Sequence, residues 1–365
     1  MIAARKKDAI SSCSWPAPPH SNAFIETASA MLSDLGLDVR PGNPTRWTTA
    51  ATTTDVYVIH WPDAIFWNNA SHARRWFWIA RILTNLTILK ARGTRILWFV
   101  HNLQPHDLSP DHQRAWDVYT RGLSRLVDGW LTLSPSTGDL VRARYPRLTN
   151  KPHSYIWHPP YADSYGGNRV QAREELGLAD QAIVFGHAGL LRPYKNLALL
   201  ARRFEKIAPE GSQLLLTGRA KHGTGDELEE LATQVRGLDY REGKLSPTEF
   251  DRALKAIDVF VAPYAQFLHS GALVHALSRG CVVVAPRAAF TEDLARALGT
   301  DWVLLYNAEP DAAVMTNAAE AALRQTGTAP ALRALDPEQN LGRLRDLLIE
   351  LGLELAARDK TDRGQ

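Results

Sequence analysis

Two cations three residues apart, Arg192 and Lys195 in "GLLRPYKN", stand where an apolar run ends and a helical pattern begins. That position suits an anion. A helix start carries free N–H groups and the positive end of the helix dipole, and an arginine fork beside a lysine point charge matches a diphosphate. Solvated surface charge is the competing reading of this segment taken alone. A second helix start lies in "VAPYAQFLHSGALVHALSRGCVVVAP", where Ser270 and Gly271 open a run of small residues that closes at Gly280. Ser270 reads as an N-cap whose hydroxyl and neighbouring N–H groups would receive anionic oxygens. Gly271 leaves room for a ligand to approach the backbone. An ordinary capped helix is the alternative, and His275 on the same helix reads as a packed residue.

In the first half, "VIHWPDAIFW" and "LWFVHNLQPHD" each set a histidine directly after a strand-like run, His60 and His101. Each is followed by an acid, Asp63 and Asp107. A buried carboxylate near a histidine is what a general base for a hydroxyl proton requires. Capping or turn formation is the other role open to either acid. The chain has no Walker A run, no complete G-x-G-x-x-G, no H-E-x-x-H and no clustered Cys/His set, so ATP hydrolysis, dinucleotide redox and zinc chemistry are not favoured. It also has no Asp-x-Asp pair. Charge on a departing group would then fall to Arg192, Lys195 and the helix starts, acting as electrostatic stabilisers.

These residues need a scaffold that puts strand ends together. Short β-branched runs alternate with helical patterns along the whole chain. Runs at 9–15, 55–61, 94–100, 129–133 and 153–158 are separated by helical patterns at 22–36, 72–92, 111–127 and 136–144. After a Pro- and Gly-rich linker, "HPPYADSYGGNR", the scheme repeats, with strands at 182–187, 213–218, 238–243, 258–264, 281–286 and 302–306. The helices between and after these fall near 195–207, 226–235, 247–256, 271–279 and 312–325, and a last one spans about 338–357. Alternation of this kind predicts an α/β protein with two Rossmann-like parallel-sheet domains facing a cleft, ligands lying beyond the carboxyl ends of the strands. The expected domains are 1–160, 161–337, and a C-terminal helix with a polar tail, 338–365, crossing back to the first. A length of 365 residues suits two cores.

Composition bounds the partners. The apolar fraction of 45% and charged fraction of 22% are those of a globular chain, and a net charge of +3 is too small for a nucleic-acid binder. Cys13 and Cys281 stand far apart, which fits a reducing compartment. "MIAARKKDAISS" has no apolar stretch of signal-peptide type after its basic residues, and no run approaches the roughly 18 apolar residues of a spanning helix. A cytoplasmic location is expected. "HARRWFWIARILTNLTILKARGTR" is basic and aromatic without an acid, the composition of a helix lying in a membrane surface. A solvated basic face on an ordinary domain helix is the alternative.

"GLLRPYKN" together with "PYAQFLHSGALVHALSRGCVVVAP" resembles the nucleotide-sugar half of GT-B glycosyltransferases. "PHSNAFIETASAML", "HWPD", "HNLQPHD" and "WVLLYNAEPDAA" extend the likeness, in the same order over about residues 19–310, to the xanthan-type β-mannosyltransferases. The resemblance implies GDP-mannose as donor, with no further cofactor and no metal. It implies transfer with inversion to a glucuronate-terminated oligosaccharide on polyprenyl diphosphate, at the inner face of the cell membrane. On its motifs, Arg192, Lys195, Asn196, Gly218, Arg219, Tyr264, His269, Ser270 and Gly271 fall on the donor side. Asn22, His60 and Trp61 fall on the acceptor side, and His101, Asp63 and Asp107 at the chemistry. Phe267 and His275 stand where retaining GT-B relatives carry two glutamates, His269 replaces an asparagine, and Asp63 replaces a glutamate. A transferase using a UDP-sugar, a nucleotide-sugar epimerase and a non-enzymatic two-lobed sugar-binding protein are the other readings of the same fold.

Overall fold

The computed structural model describes residues 10–20, 22–66, 71–106, 108–335 and 337–355. The described chain forms two compact units, Met1–Trp157 with Pro337–Gln365, and His158–Asp336.

The first unit runs β1 (Ile10–Trp15), α1 (Ala23–Asp34), β2 (Leu37–Pro41), α2 (Trp47–Ala51), β3 (Val56–Ile59), α3 (His72–Ala91), β4 (Arg95–Phe99), α4 (Gln113–Leu126), β5 (Gly129–Thr132), α5 (Thr137–Arg144) and β6 (His153–Tyr155). Its strands pair in parallel in the order β2-β1-β3-β4-β5-β6. Strands buried on both faces must be apolar throughout, and "VYVI" of β3 and "GWLT" of β5 are buried at every position. One face packs Phe24, Ala28 and Leu32 of α1 onto Val56, Val58, Leu97, Phe99 and Leu131.

The second unit runs α6 (Arg169–Glu175), β7 (Val184–Ala188), α7 (Leu197–Ile207), β8 (Gln213–Gly218), α8 (Thr224–Gln234), β9 (Leu238–Glu242), α9 (Pro247–Ala256), β10 (Val259–Val261), α10 (Gly271–Ser278), β11 (Val282–Pro286), α11 (Ala289–Leu298), β12 (Val303–Tyr306) and α12 (Ala312–Gln325). Its sheet is also parallel, in the order β12-β11-β10-β7-β8-β9. The last helix, α13 (Pro337–Glu350), returns to the first unit. Its Leu344, Leu347 and Leu348, joined by Leu351 just beyond, enter the same cluster as α1. The Asn340 side chain clasps Trp157, accepting from its N–H at 2.9 Å and donating to its carbonyl at 3.1 Å.

Both sheets are doubly wound, and each reverses direction once. The reversal falls between β1 and β3 in the first unit and between β7 and β10 in the second. Successive connections leave to opposite faces there, which opens a crevice at the strands' carboxyl ends. Four elements escape the periodicity of the sequence. β2 is an edge strand reading "LDVRP", mostly exposed, so it shows itself only by pairing with β1. α2 and α6 are only 5 and 7 residues long, and α11 follows directly on β11.

Candidate active site

In the second unit the crevice is built from the segments after β7 and β10. Gly189 turns the chain at φ 114°, a single 3₁₀ turn covers Pro193–Lys195, and Asn196 takes a left-handed conformation (φ 51°) to start α7. This path sends Lys195 back toward the sheet, where it is only 7% exposed. Its Nζ lies 3.1 Å from His187 Nε2 and 5.2 Å from the centre of the Tyr264 ring. His187 Nδ1 is 3.2 Å from the Val261 carbonyl. The carbonyl can only accept, so Nδ1 carries the hydrogen and Nε2 accepts from the lysine. No carboxylate among the described residues pairs with Lys195. Burial, helped by the positive charge of Arg192, lowers its pKa to about 7. The result is a buried amine without a carboxylate partner among the described residues, at a strand-order reversal.

The helix start expected at Ser270 is present, and Ser270 has the extended backbone of an N-cap, but its side chain makes no capping hydrogen bond. A Cβ on Gly271 would stand 2.8 Å from the Tyr161 hydroxyl and 3.1 Å from His158 Cε1. The packing of 158–161 therefore accounts for a glycine at this position. Tyr161 stacks on His275, with ring centres 4.3 Å apart, and its hydroxyl lies 3.1 Å from His158 Nδ1. His275 Nε2 lies 2.6 Å from Asp251 Oδ1, which also receives Arg279 Nε at 2.8 Å. Burial opposes ionisation of Asp251, yet hydrogen bonds from His275, Arg279 and Ser164 outweigh it and hold the carboxyl below the usual range. His275 is thus a packed residue pinned to a structural carboxylate.

The remaining donor-side positions divide. Gly218 has φ 138°, and a Cβ there would fall 1.7 Å from the Gly189 carbonyl oxygen, so two loops meet on that glycine. The Arg219 side chain is exposed while its carbonyl accepts from Leu191 N–H at 2.9 Å. Asn196 and Tyr264 line a cavity of about 450 Å³ beyond β10–β12, with Arg287, Asn307 and Glu309 on its far side. His269 lies edge-on to Phe290, with ring centres 5.6 Å apart.

In the first unit the crevice holds His60, Trp61 and His101 together. The His60 N–H donates to the Trp15 carbonyl at 3.0 Å, tying the end of β3 to the end of β1. His60 Nδ1 is 3.3 Å from His101 Nε2, Trp61 stacks on His101 at 4.1 Å, and Phe24 lies edge-on to both histidines. Asn22 caps α1, its Oδ1 accepting from Phe24 N–H at 3.0 Å. Burial lowers His60 to about 3, so it is a neutral hydrogen-bonding group at physiological pH. Asp63 sits in a 3₁₀ turn, Pro62–Phe66, at 4% exposure. Burial raises the phenols of Tyr119 and Tyr145, and the charge of Asp63 raises them further. Asp107 lies outside the described residues.

Sequence reasoning missed His187, His158 and Tyr161. His187 is a titratable side chain inside a strand that is otherwise wholly apolar, a signal visible in "VFGHA". Tyr161 lies in a stretch that reads as linker, and nothing in the sequence ties it to α10.

Comparison with known proteins agrees with this fold. The model of the family "Glycosyl transferases group 1" matches residues 182–325. Two solved structures share the fold at 14% identity. HepE of Anabaena, crystallised with UDP-glucose, aligns with a TM-score of 0.63 over 94% of this chain and 100% of its own. The sucrose-phosphate synthase of Thermosynechococcus elongatus aligns with 0.62 over 94% and 97%. The chain is a glycosyltransferase of the GT-B fold. It is similar to the GDP-mannose:glycolipid 4-beta-D-mannosyltransferase of Xanthomonas campestris pv. campestris, at 27% identity over 266 residues, 72% of this chain and 70% of that protein.

Proposed function

We propose that the protein transfers mannose from GDP-mannose to a lipid-linked oligosaccharide ending in glucuronate, with inversion and without a metal ion. The observation that carries the donor half is Lys195, a buried cation without a carboxylate partner at the β7/β10 reversal. A lysine taken out of water needs an anion, and a nucleoside diphosphate supplies one. Arg192 and the start of α10 complete the site, and together they stabilise the charge on the departing diphosphate. The mannose, the guanine base and the glycolipid acceptor rest on the likeness to the Xanthomonas enzyme.

The acceptor belongs, on this reading, to the crevice of the first unit, where His60, Trp61 and His101 gather. Asp63 or Asp107 removes the acceptor hydroxyl proton. The enzyme works from the cytoplasmic side, docked on the inner face of the cell membrane. α3 supports this: Phe77 is 54% exposed and Trp47 beside it 51%, with the Arg81 guanidinium 4.8 Å over the Trp47 ring. Residues 1–157 hold 18 lysines and arginines against 11 acids, a surplus that anionic headgroups would attract. None of the described helices is long and apolar enough to cross a membrane.

The decisive experiment is transfer from GDP-mannose by Lys195→Ala, with correct folding checked by melting. Activity should fall at least a hundredfold; near-wild-type transfer would sink the diphosphate role. Thermal-shift titration with GDP-mannose, UDP-glucose and UDP-glucuronate tests the donor, and stabilisation by a UDP-sugar alone would replace it. Turnover of GDP-mannose with no acceptor present would make the protein an epimerase.

A further inference from the structure

We propose that His187 is a positioning residue for the donor diphosphate: it holds the Lys195 amine by its Nε2, and binding of a nucleoside diphosphate draws one proton from solvent onto that amine. This inference rests on the donor reading above and adds a linkage to it. The geometry has three parts. His187 is fully buried in β7, between Phe260 at 4.7 Å and Tyr264 at 5.6 Å, measured between ring centres. Its Nδ1–H is committed to the Val261 carbonyl of β10, so the ring bridges the two strands at the order reversal. The remaining lone pair, on Nε2, points at Lys195 Nζ.

The groups that face Lys195 are few. His187 comes from β7, Arg192 from the preceding loop, and Tyr264 from the segment after β10, with Tyr194 packed on Tyr264 at 5.9 Å. None is an anion at neutral pH. His187 is kept neutral by burial and by the lysine itself. A free amine and a neutral imidazole can share one hydrogen bond at no charge cost, so the empty site tolerates the buried lysine. A diphosphate entering beside it raises the amine's proton affinity, since an opposite charge at short range favours the charged form. The balance is simple: one amine lone pair takes one proton from the buffer, and no other bond changes.

The sign follows from the starting point. Burial leaves the unliganded amine at about 7. Below that pH the cation is already formed, and the amine takes up no proton on binding. Above it each binding event must take up a proton, so the apparent dissociation constant rises by up to about tenfold per pH unit.

The test is calorimetric titration of the full chain with GDP at pH 6.0 and pH 8.5, in two buffers of different ionisation enthalpy. The expected wild-type result is uptake approaching one proton at pH 8.5, and at pH 6.0 no uptake, the terminal phosphate of GDP instead losing its own residual proton on binding. His187→Leu should weaken GDP binding about tenfold at pH 6.0, and His187→Gln, which keeps an acceptor near Nε2, should recover most of that loss. A merely structural histidine would weaken the fold, and the Gln variant would not restore affinity. Buffer-independent enthalpy at pH 8.5 in a wild-type protein that binds GDP would overturn this inference and leave the donor reading standing. Failure of the wild type to bind GDP or UDP at either pH would overturn both.

Discussion

A lysine amine out of water with no carboxylate beside it works against the fold, and only a ligand makes it an advantage. Replacing Lys195 by Met should therefore separate stability from function. At pH 6 the melting temperature of Lys195→Met should match or exceed that of the wild type, because an uncompensated buried charge is gone, while GDP binding is lost. A marked drop in melting temperature would mean that the lysine is structural. The buried histidines make a second residue-scale prediction. Burial holds His60 and His158 at about 3 and His153 at about 4, against an ordinary 6.5. Between those values the unfolded chain binds protons that the folded chain does not. Stability should fall as pH drops below about 6.5, by up to about 1.4 kcal/mol per pH unit for each of His60 and His158, and by less for the half-buried His153. Melting curves from pH 7 to pH 5 check this, and a flat midpoint would contradict it. At the proton-transfer site, Asp63→Asn and Asp107→Asn assayed for transfer should separate the base, at least a hundredfold down, from its neighbour. Full activity in both would exclude the pair.

At the scale of elements, the strand-to-helix turns position the chemistry, and their glycines are placed by contact. Gly218→Ala would put a methyl into the Gly189 carbonyl at a backbone angle that L-residues avoid. A loss above about 3 kcal/mol is expected in denaturant titration, with GDP binding falling because the loop carrying Arg192 shifts. α10 is a different case. The "SG" start reads from sequence as a ligand site, whereas the structure fills the place of the missing side chain with Tyr161 and His158. The Ser270 hydroxyl, left without a capping bond, is what the helix start still offers. Most helices were legible because each buries an apolar stripe. α7 does so with Leu197, Leu200, Ala201 and Phe204. β2 was not legible, because an exposed edge strand carries no apolar signature.

At the scale of the whole molecule, the end of the chain completes the unit formed by its beginning. Leu344, Leu347 and Leu348 lie on one stripe of α13 and join the α1 face of the first sheet. Asn340 is fully buried, and its amide bonds both the backbone N–H and the carbonyl of Trp157. Asn340→Ala removes both of these buried hydrogen bonds, which costs about 1–3 kcal/mol. A drop of that size in the denaturation of the intact chain is expected, with donor affinity unchanged because the second unit is untouched. Vesicles containing anionic lipid should float the protein in low salt and release it in high salt, and Trp47→Ser with Phe77→Ser should weaken the binding at least tenfold. Flotation that is absent, or indifferent to salt, would count against it.

The alternation of strands and helices, hence the two parallel sheets, can be read along the chain, as can the segments after the strands where chemistry falls. Those are local properties: period, β-branching and turn residues act over a few positions. Arg192, Lys195, His60 and His101 were legible as site candidates for the same reason, since each follows a recognisable strand. The order of the strands, and with it which strand ends share a crevice, is set by long-range packing. It brought β7 beside β10, so that His187, Lys195 and Tyr264 meet across 78 positions of chain. Burial is a property of that packing and of no single residue. The packing turned the lysine of "GLLRPYKN" from a surface cation into a desolvated amine held by a neutral histidine.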